Sequence, residues 1–147
     1  MLLTVACKAV IVKDGKVLLL RLAPKGGSAQ TVGSFDLPGG RLRAGESLAE
    51  VLQRELWEEC GVEITLDAPA AQTPVFVDEI RLPAASGIGK TYEAAQAIRL
   101  FFRFDDLPVE KLTLGYEHDD YVWVAPQDAK ELLLFPGIGN VLAKVFA

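Results

Sequence analysis

A chain of 147 residues, half of them hydrophobic and 24% charged, is sized for one soluble globular domain burying roughly 68–70% of its unfolded surface. Its net charge of −5 argues against a nucleic-acid polymer as partner, since phosphate backbones are met by basic surfaces, but leaves room for a small nucleotide carried on metal ions. Two cysteines, Cys7 and Cys60, supply no disulfide framework and point to a reducing compartment, the cytoplasm, and no run reaches the eighteen or so apolar residues of a membrane span.

The first fifteen residues, MLLTVACKAVIVKDG, are apolar but lack a basic leader and are interrupted by Lys8 and Lys13, so a first strand is expected there. Val5–Val12 and Lys16–Leu22 are β-rich runs joined by Asp14-Gly15, a strong two-residue hairpin signal. Ala23–Ser34 is a Gly/Ser-rich loop, read either as a mobile surface connection or as a loop beside the substrate that would bring Arg21 and Lys25 near phosphate. Phe35–Gly40 leads out of it and ends in two adjacent glycines, as suits backbone that must approach a ligand closely.

Ser47 followed three residues later by Glu50 is a capping box, and Gly61 suits the left-handed residue that ends a helix. The helix predicted over Leu48–Cys60 is roughly 20 Å long. Leu48, Ala49, Leu52, Leu56 and Cys60 fall on one apolar arc. Glu55, Glu58 and Glu59 crowd the adjoining arc at spacings that make them neighbours. Like charges so placed cost a few tenths of a kcal/mol each, and carboxylates in the last turn oppose the helix dipole. Arg54 offsets only part of this. A hard divalent cation reverses the sign, because clustered carboxylate oxygens are what Mg²⁺ or Mn²⁺ coordinate.

Gly40, five residues, Glu46, seven residues, then Arg54-Glu55-Leu56-Trp57-Glu58-Glu59-Cys60-Gly61-Val62 satisfies every position of the Nudix box, and the chain resembles a Nudix hydrolase. The resemblance implies an α/β/α sandwich (α+β) around a mixed sheet; the element pattern alone gives only mixed α/β. It also implies hydrolysis of a nucleoside diphosphate linked to another moiety. Glu55, Glu58 and Glu59 would carry Mg²⁺, or Mn²⁺ in its place, with the Gly40 carbonyl as a further ligand. Glu55 is the family's usual base or base support, Arg54 would orient the glutamates, and Glu46 would hold Arg54.

Beyond the helix, strands are expected over Val62–Leu66, Thr73–Leu82, Ala97–Asp105 and Tyr121–Val124. Helices are expected over Pro126–Leu134 and Gly139–Phe146. Ala84–Thr91, AASGIGKT, fits a relaxed phosphate-binding P-loop. Pro83 at the junction and the short chain remaining argue instead for a loop between strands, from which Lys90 could still reach a phosphate. In Gly115–Val124 the resemblance offers Glu117 as an additional metal-binding acid, with Asp119 and Asp120 as alternatives. His118 reads as a polar loop residue and Trp123 as core or pocket wall.

Family substrates include nucleoside triphosphates, sugar nucleotides, ADP-ribose and dinucleoside polyphosphates. The downstream proline and tyrosine that mark the ADP-ribose and dinucleoside subfamilies are missing, Pro74 falling too early and Tyr92 too late. A (deoxy)nucleoside triphosphate pyrophosphatase of the nucleotide-sanitising kind is therefore the expectation. A non-catalytic nucleotide sensor is the alternative from another class. Arg21, Lys25, Arg41, Arg43 and Lys90 are the candidates for phosphate contact, and a homodimer is compatible with the family.

Overall fold

The computed structural model describes residues 1–147, with the side chain of Lys90 outside the described residues. In chain order the strands are β1 (Leu2–Lys13), β2 (Lys16–Leu22), β3 (Phe35–Asp36), β4 (Gly39–Arg41), β5 (Phe76–Leu82), β6 (Ala85–Gly87), β7 (Lys90–Tyr92), β8 (Ala95–Phe104) and β9 (His118–Val124). The α-helices are α1 (Leu48–Cys60) and α2 (Ile138–Val145). Short 3-10 turns cover Pro69–Ala71 and Pro126–Glu131.

The β1–β2 hairpin turns on Asp14 and Gly15, both at positive φ (52° and 76°), the backbone that matches strand twist in a two-residue loop. Pairing across the hairpin stops after Val12↔Val17, and the two strands then part. β1 runs parallel to β8 from Leu2↔Ala95 to Ile11↔Phe104, and β8 carries β5 antiparallel at the sheet edge. β2 pairs antiparallel with β9 and with β3. β4 fills the gap that opens beside β1, pairing Ala6↔Arg41 through Lys8↔Gly39. That wedge carries the double glycine into the middle of the molecule.

The period-2 alternation of the central strands decides the layers. Cys7, Ala9, Ile11, Leu18, Leu20, Phe102 and Phe104 face one side and pack with Val51, Leu52, Leu56 and Cys60 of α1. Val10, Val17, Leu19 and Phe101 face the other and pack with Ile138, Val141 and Leu142 of α2. A mixed sheet lies between two helical layers, as expected. Because both faces are covered, β1 and β2 read as nearly continuous apolar runs.

Several expected elements differ. Val62–Leu66 forms no strand; Val62 and Ile64 are buried in the α1 core, so its apolar residues serve packing without a partner strand. Pro126–Leu134 gives a 3-10 segment ending at Glu131. The stretch that fits a P-loop is a small β6–β7 hairpin with Gly89 at φ 72°, and no helix follows it. β9 starts at His118 rather than Tyr121. No helix among the described residues is long and apolar enough to cross a membrane.

Candidate active site

The capping box forms as predicted. The Glu50 amide donates to Ser47 Oγ and the Ser47 amide donates to Glu50 Oε1, both at 3.1 Å. Gly61 closes α1 at φ 68°, its N–H reaching the Leu56 and Trp57 carbonyls. Between these caps, Arg54 is the hub of the carboxylates. Its Nε and Nη2 donate to the two oxygens of Glu46 at 2.8 and 2.9 Å, and Nη1 donates to Glu55 Oε1 at 2.6 Å. Nη2 also donates to the Arg41 carbonyl at 3.1 Å, tying α1 to β4. Glu58 Oε2 lies 3.7 Å from Nη1 on a side chain 53% exposed. The hydrogen bonds from Arg54 draw the Glu46 carboxyl down to about 2, and those carboxylates raise the Arg54 guanidinium in turn.

The double glycine meets this helix face. A Cβ on Gly40 would stand 2.5 Å from Glu55 Cδ, and one on Gly39, at φ 136°, would stand 2.1 Å from the Cys7 carbonyl oxygen. Only glycine allows β4 between β1 and the carboxylates. Glu59 departs from the sequence reading: it leaves the carboxylate arc and turns inward, buried, with Oε1 accepting from the Gly39 amide at 2.6 Å. Burial pushes its carboxyl up to about 8, against the opposing pull of Lys8 and of the Gly39 N–H.

Glu59 borders a cavity of about 360 Å³, within the range of small-ligand sites. Its floor holds Lys8, Asp36 and His118, which are 8%, 7% and 7% exposed. Lys8 Nζ donates to Asp36 Oδ2 at 3.0 Å. His118, expected as a loop residue, is instead buried at the start of β9 with Nδ1 3.8 Å from Glu59 Oε2 and no hydrogen-bond partner. Burial, reinforced by Lys8, holds its imidazole down near 4 and so neutral at pH 7. The far walls are apolar, from Leu82, Pro83, Phe135 and Pro136.

Among the residues expected to bind substrate or metal, Arg41, Glu59 and Glu117 line this cavity. Arg21 does not. It pairs with Asp119 at 2.8 Å and Asp120 at 3.9 Å on the surface, so these two acids serve an ion pair. Lys25 and Arg43 are exposed, away from the cavity lining. The Lys90 side chain lies outside the described residues. Lys8, Asp36 and His118 escaped the sequence reading. The one available signal was a lysine inside the apolar run ACKAVIV, which an inward-facing charge with a buried partner explains.

As the side chains stand, no three acidic, histidine or cysteine groups among the described residues converge closely enough to hold an ion. Arg54 occupies Glu55, Gly39 occupies Glu59, and Glu58 faces solvent. The donor set nevertheless fits a hard divalent cation in kind. Glu55 and Glu58 are oxygen donors on one helix face, and the glycine backbone is pressed against Glu55 where a Cβ would block approach.

A family model described as NUDIX domain matches residues 2–145. The nucleoside triphosphatase NudI of Escherichia fergusonii is 30% identical over 129 residues, covering 85% of this chain and 83% of that protein. The crystal structure of a MutT protein from Methanosarcina mazei Go1 superposes with a TM-score of 0.72 at 24% identity, covering 99% of this chain and 94% of that one. A bifunctional NMN adenylyltransferase/ADP ribose pyrophosphatase from Francisella tularensis, crystallised with AMP and a manganese ion, superposes at 0.66 with 17% identity, over 97% of this chain and 41% of its own. At these identities the two structures speak to the fold.

Proposed function

The chain belongs to the Nudix family and is a pyrophosphohydrolase acting on phosphoric anhydride bonds; from that premise we propose that it hydrolyses (deoxy)nucleoside triphosphates with Mg²⁺, releasing pyrophosphate and a nucleoside monophosphate. One observation carries the reading. Arg54 links Glu46 to Glu55 with Glu58 beside them on α1, and Glu59 of the same helix turns into a nucleoside-sized cavity. On this reading the nucleoside enters the cavity and the phosphates lie toward the α1 carboxylates. The NudI relative, named as a nucleoside triphosphatase, supports the same class.

Glu55, Glu58 and Glu59, with the Gly40 carbonyl, would hold the cation, and Glu117 borders the same cavity as a further candidate. The chemistry supplied by bound Mg²⁺ is neutralisation of phosphate oxygens and activation of water. Arg54 holds Glu55 at a set angle, and Glu46 grips Arg54 through both oxygens, so the base-supporting carboxylate is oriented before substrate arrives. Glu55 receives the proton of the attacking water as the anhydride oxygen leaves with pyrophosphate. Arg41, exposed and in the cavity lining, would meet an outer phosphate on this reading.

Glu58→Gln tests the assignment. Its side chain is half exposed, so stability should change by less than about 0.5 kcal/mol, while Mg²⁺-dependent turnover should fall by about a hundredfold or more. Wild-type turnover in that variant would sink the assignment. A panel of nucleotides with pyrophosphate and phosphate detection tests the substrate: triphosphates should lead, and ADP-ribose as the sole good substrate would overturn the choice. Absence of any metal-dependent turnover would favour a nucleotide sensor.

A further inference from the structure

At the cavity floor Lys8 is a buried cation with unmet donors. An ammonium carries three N–H groups and accepts nothing. One is given to Asp36, and no other acceptor meets Lys8 among the described residues. Asp36 is more nearly saturated, since Oδ1 accepts from the Leu37 amide at 2.7 Å and Oδ2 from Lys8. What Lys8 offers a ligand is therefore hydrogen-bond donation alone, beside the neutral imidazole of His118.

The charges around Lys8 decide what sort of acceptor it takes. Asp36 pairs with it directly, Glu59 lies within its field, and Glu117 adds a further acid to the same lining, while Arg41 and Arg81 stand out at the exposed rim. A phosphate gains little from a cation already neutralised and flanked by carboxylates. A neutral ring with a carbonyl oxygen pays no such repulsion, and its faces suit the walls of Leu82, Pro83, Phe135 and Pro136.

We propose that Lys8 reads the base of the nucleotide, donating to an exocyclic carbonyl oxygen and so selecting oxo-bases, such as guanine or hypoxanthine, over adenine. Adenine turns an amino donor toward an ammonium that cannot accept, and a buried polar mismatch of this kind is rejected more strongly than a lost methylene. Asp36 is the positioning residue that aims the ammonium. This deepens the triphosphatase reading and rests on it for the identity of the ligand as a nucleotide.

Inosine and adenosine nucleotides differ only along one edge of the base, where an oxo group at carbon 6 with N1–H replaces an amino group with a bare N1. The wild-type enzyme should show kcat/KM for ITP above that for ATP by about tenfold or more. In Lys8→Met/Asp36→Asn, which removes both charges and strands neither, the ratio should collapse to about twofold, with the loss falling on KM for ITP. An unchanged ratio overturns the proposal. So does an equal loss for both nucleotides, which would place Lys8 at phosphate. Calorimetric titration of IMP and AMP into wild-type protein keeps the two readings apart. If no triphosphate is turned over, the triphosphatase reading fails, and tighter IMP binding would still uphold Lys8. Equal IMP and AMP affinities overturn it, whether or not the double variant folds.

Discussion

Glu46 and Glu59 sit at opposite ends of the carboxylate group and answer pH in opposite directions. Glu46, held to about 2 chiefly by its hydrogen bonds from Arg54, is bound more tightly as the anion in the folded state. Its contribution to stability is complete above the ordinary carboxylate range near 4.3 and is lost as pH falls from there toward 2. Glu46→Gln should therefore melt at a lower temperature than wild type at pH 6 and show a flatter fall below pH 4, as thermal melts across that window would show. Glu59, lifted to about 8 by burial, is bound more tightly as the acid. In the metal-free protein its contribution to stability declines as pH rises between about 4.3 and 8, because the unfolded chain sheds a proton that the folded chain keeps, while buried His118 contributes the opposite slope below about 6.5. Glu59→Gln should remove that decline; a melting temperature still falling with the wild-type slope would show that some other group causes it.

The element that most constrains the site is the short strand β4, more than the long helix beside it. α1 could form from its own caps and apolar arc, but the carboxylates are set by what presses on them, namely the Gly39 amide on Glu59 and Gly40 against Glu55. Gly40→Ala should displace Glu55 from Arg54 and cost at least about tenfold in kcat/KM, since small misplacements at a reacting centre are expensive. Substrate KM should move less than kcat, and kinetics at saturating Mg²⁺ would check the split. Steric pressure of this kind is invisible in a sequence. Two glycines in a row announce a close approach but not the partner.

For the molecule as a whole, a buried ion pair ties the edge strand β5 to β8 on the α2 side of the sheet. Arg99 on β8, 3% exposed, pairs with Asp78 directly across on β5 through Nε and Nη2 at 2.8 and 2.5 Å. Its guanidinium lies 5.2 Å from the Phe101 ring centroid and against the turn at Gly137 that starts α2. Asp78→Ala strands a buried cation and should cost about 3–5 kcal/mol. Asp78→Leu/Arg99→Leu should cost less than the single change, because an apolar pair of similar volume is commonly tolerated. Denaturant melts of the two variants would show the order, and a double variant weaker than the single one would contradict it.

How far the chain could be read from its letters follows the range of the forces involved. The β1–β2 hairpin and α1 with both caps rest on local propensity and short spacing, and Asp14-Gly15, Ser47, Glu50 and Gly61 announce them, while the Arg54–Glu46 grip is implied by the family resemblance. The sequence by itself also determined the family and with it the sandwich. Only the tertiary structure decided that Val62–Leu66 packs without a strand, that Arg21 is spent on Asp119, and that Glu59 turns inward. It alone brought Lys8, Asp36 and His118, 28 residues or more apart, to one cavity floor. The reason is physical: a charge is buried only where distant elements supply its partner, and no window along the chain contains both.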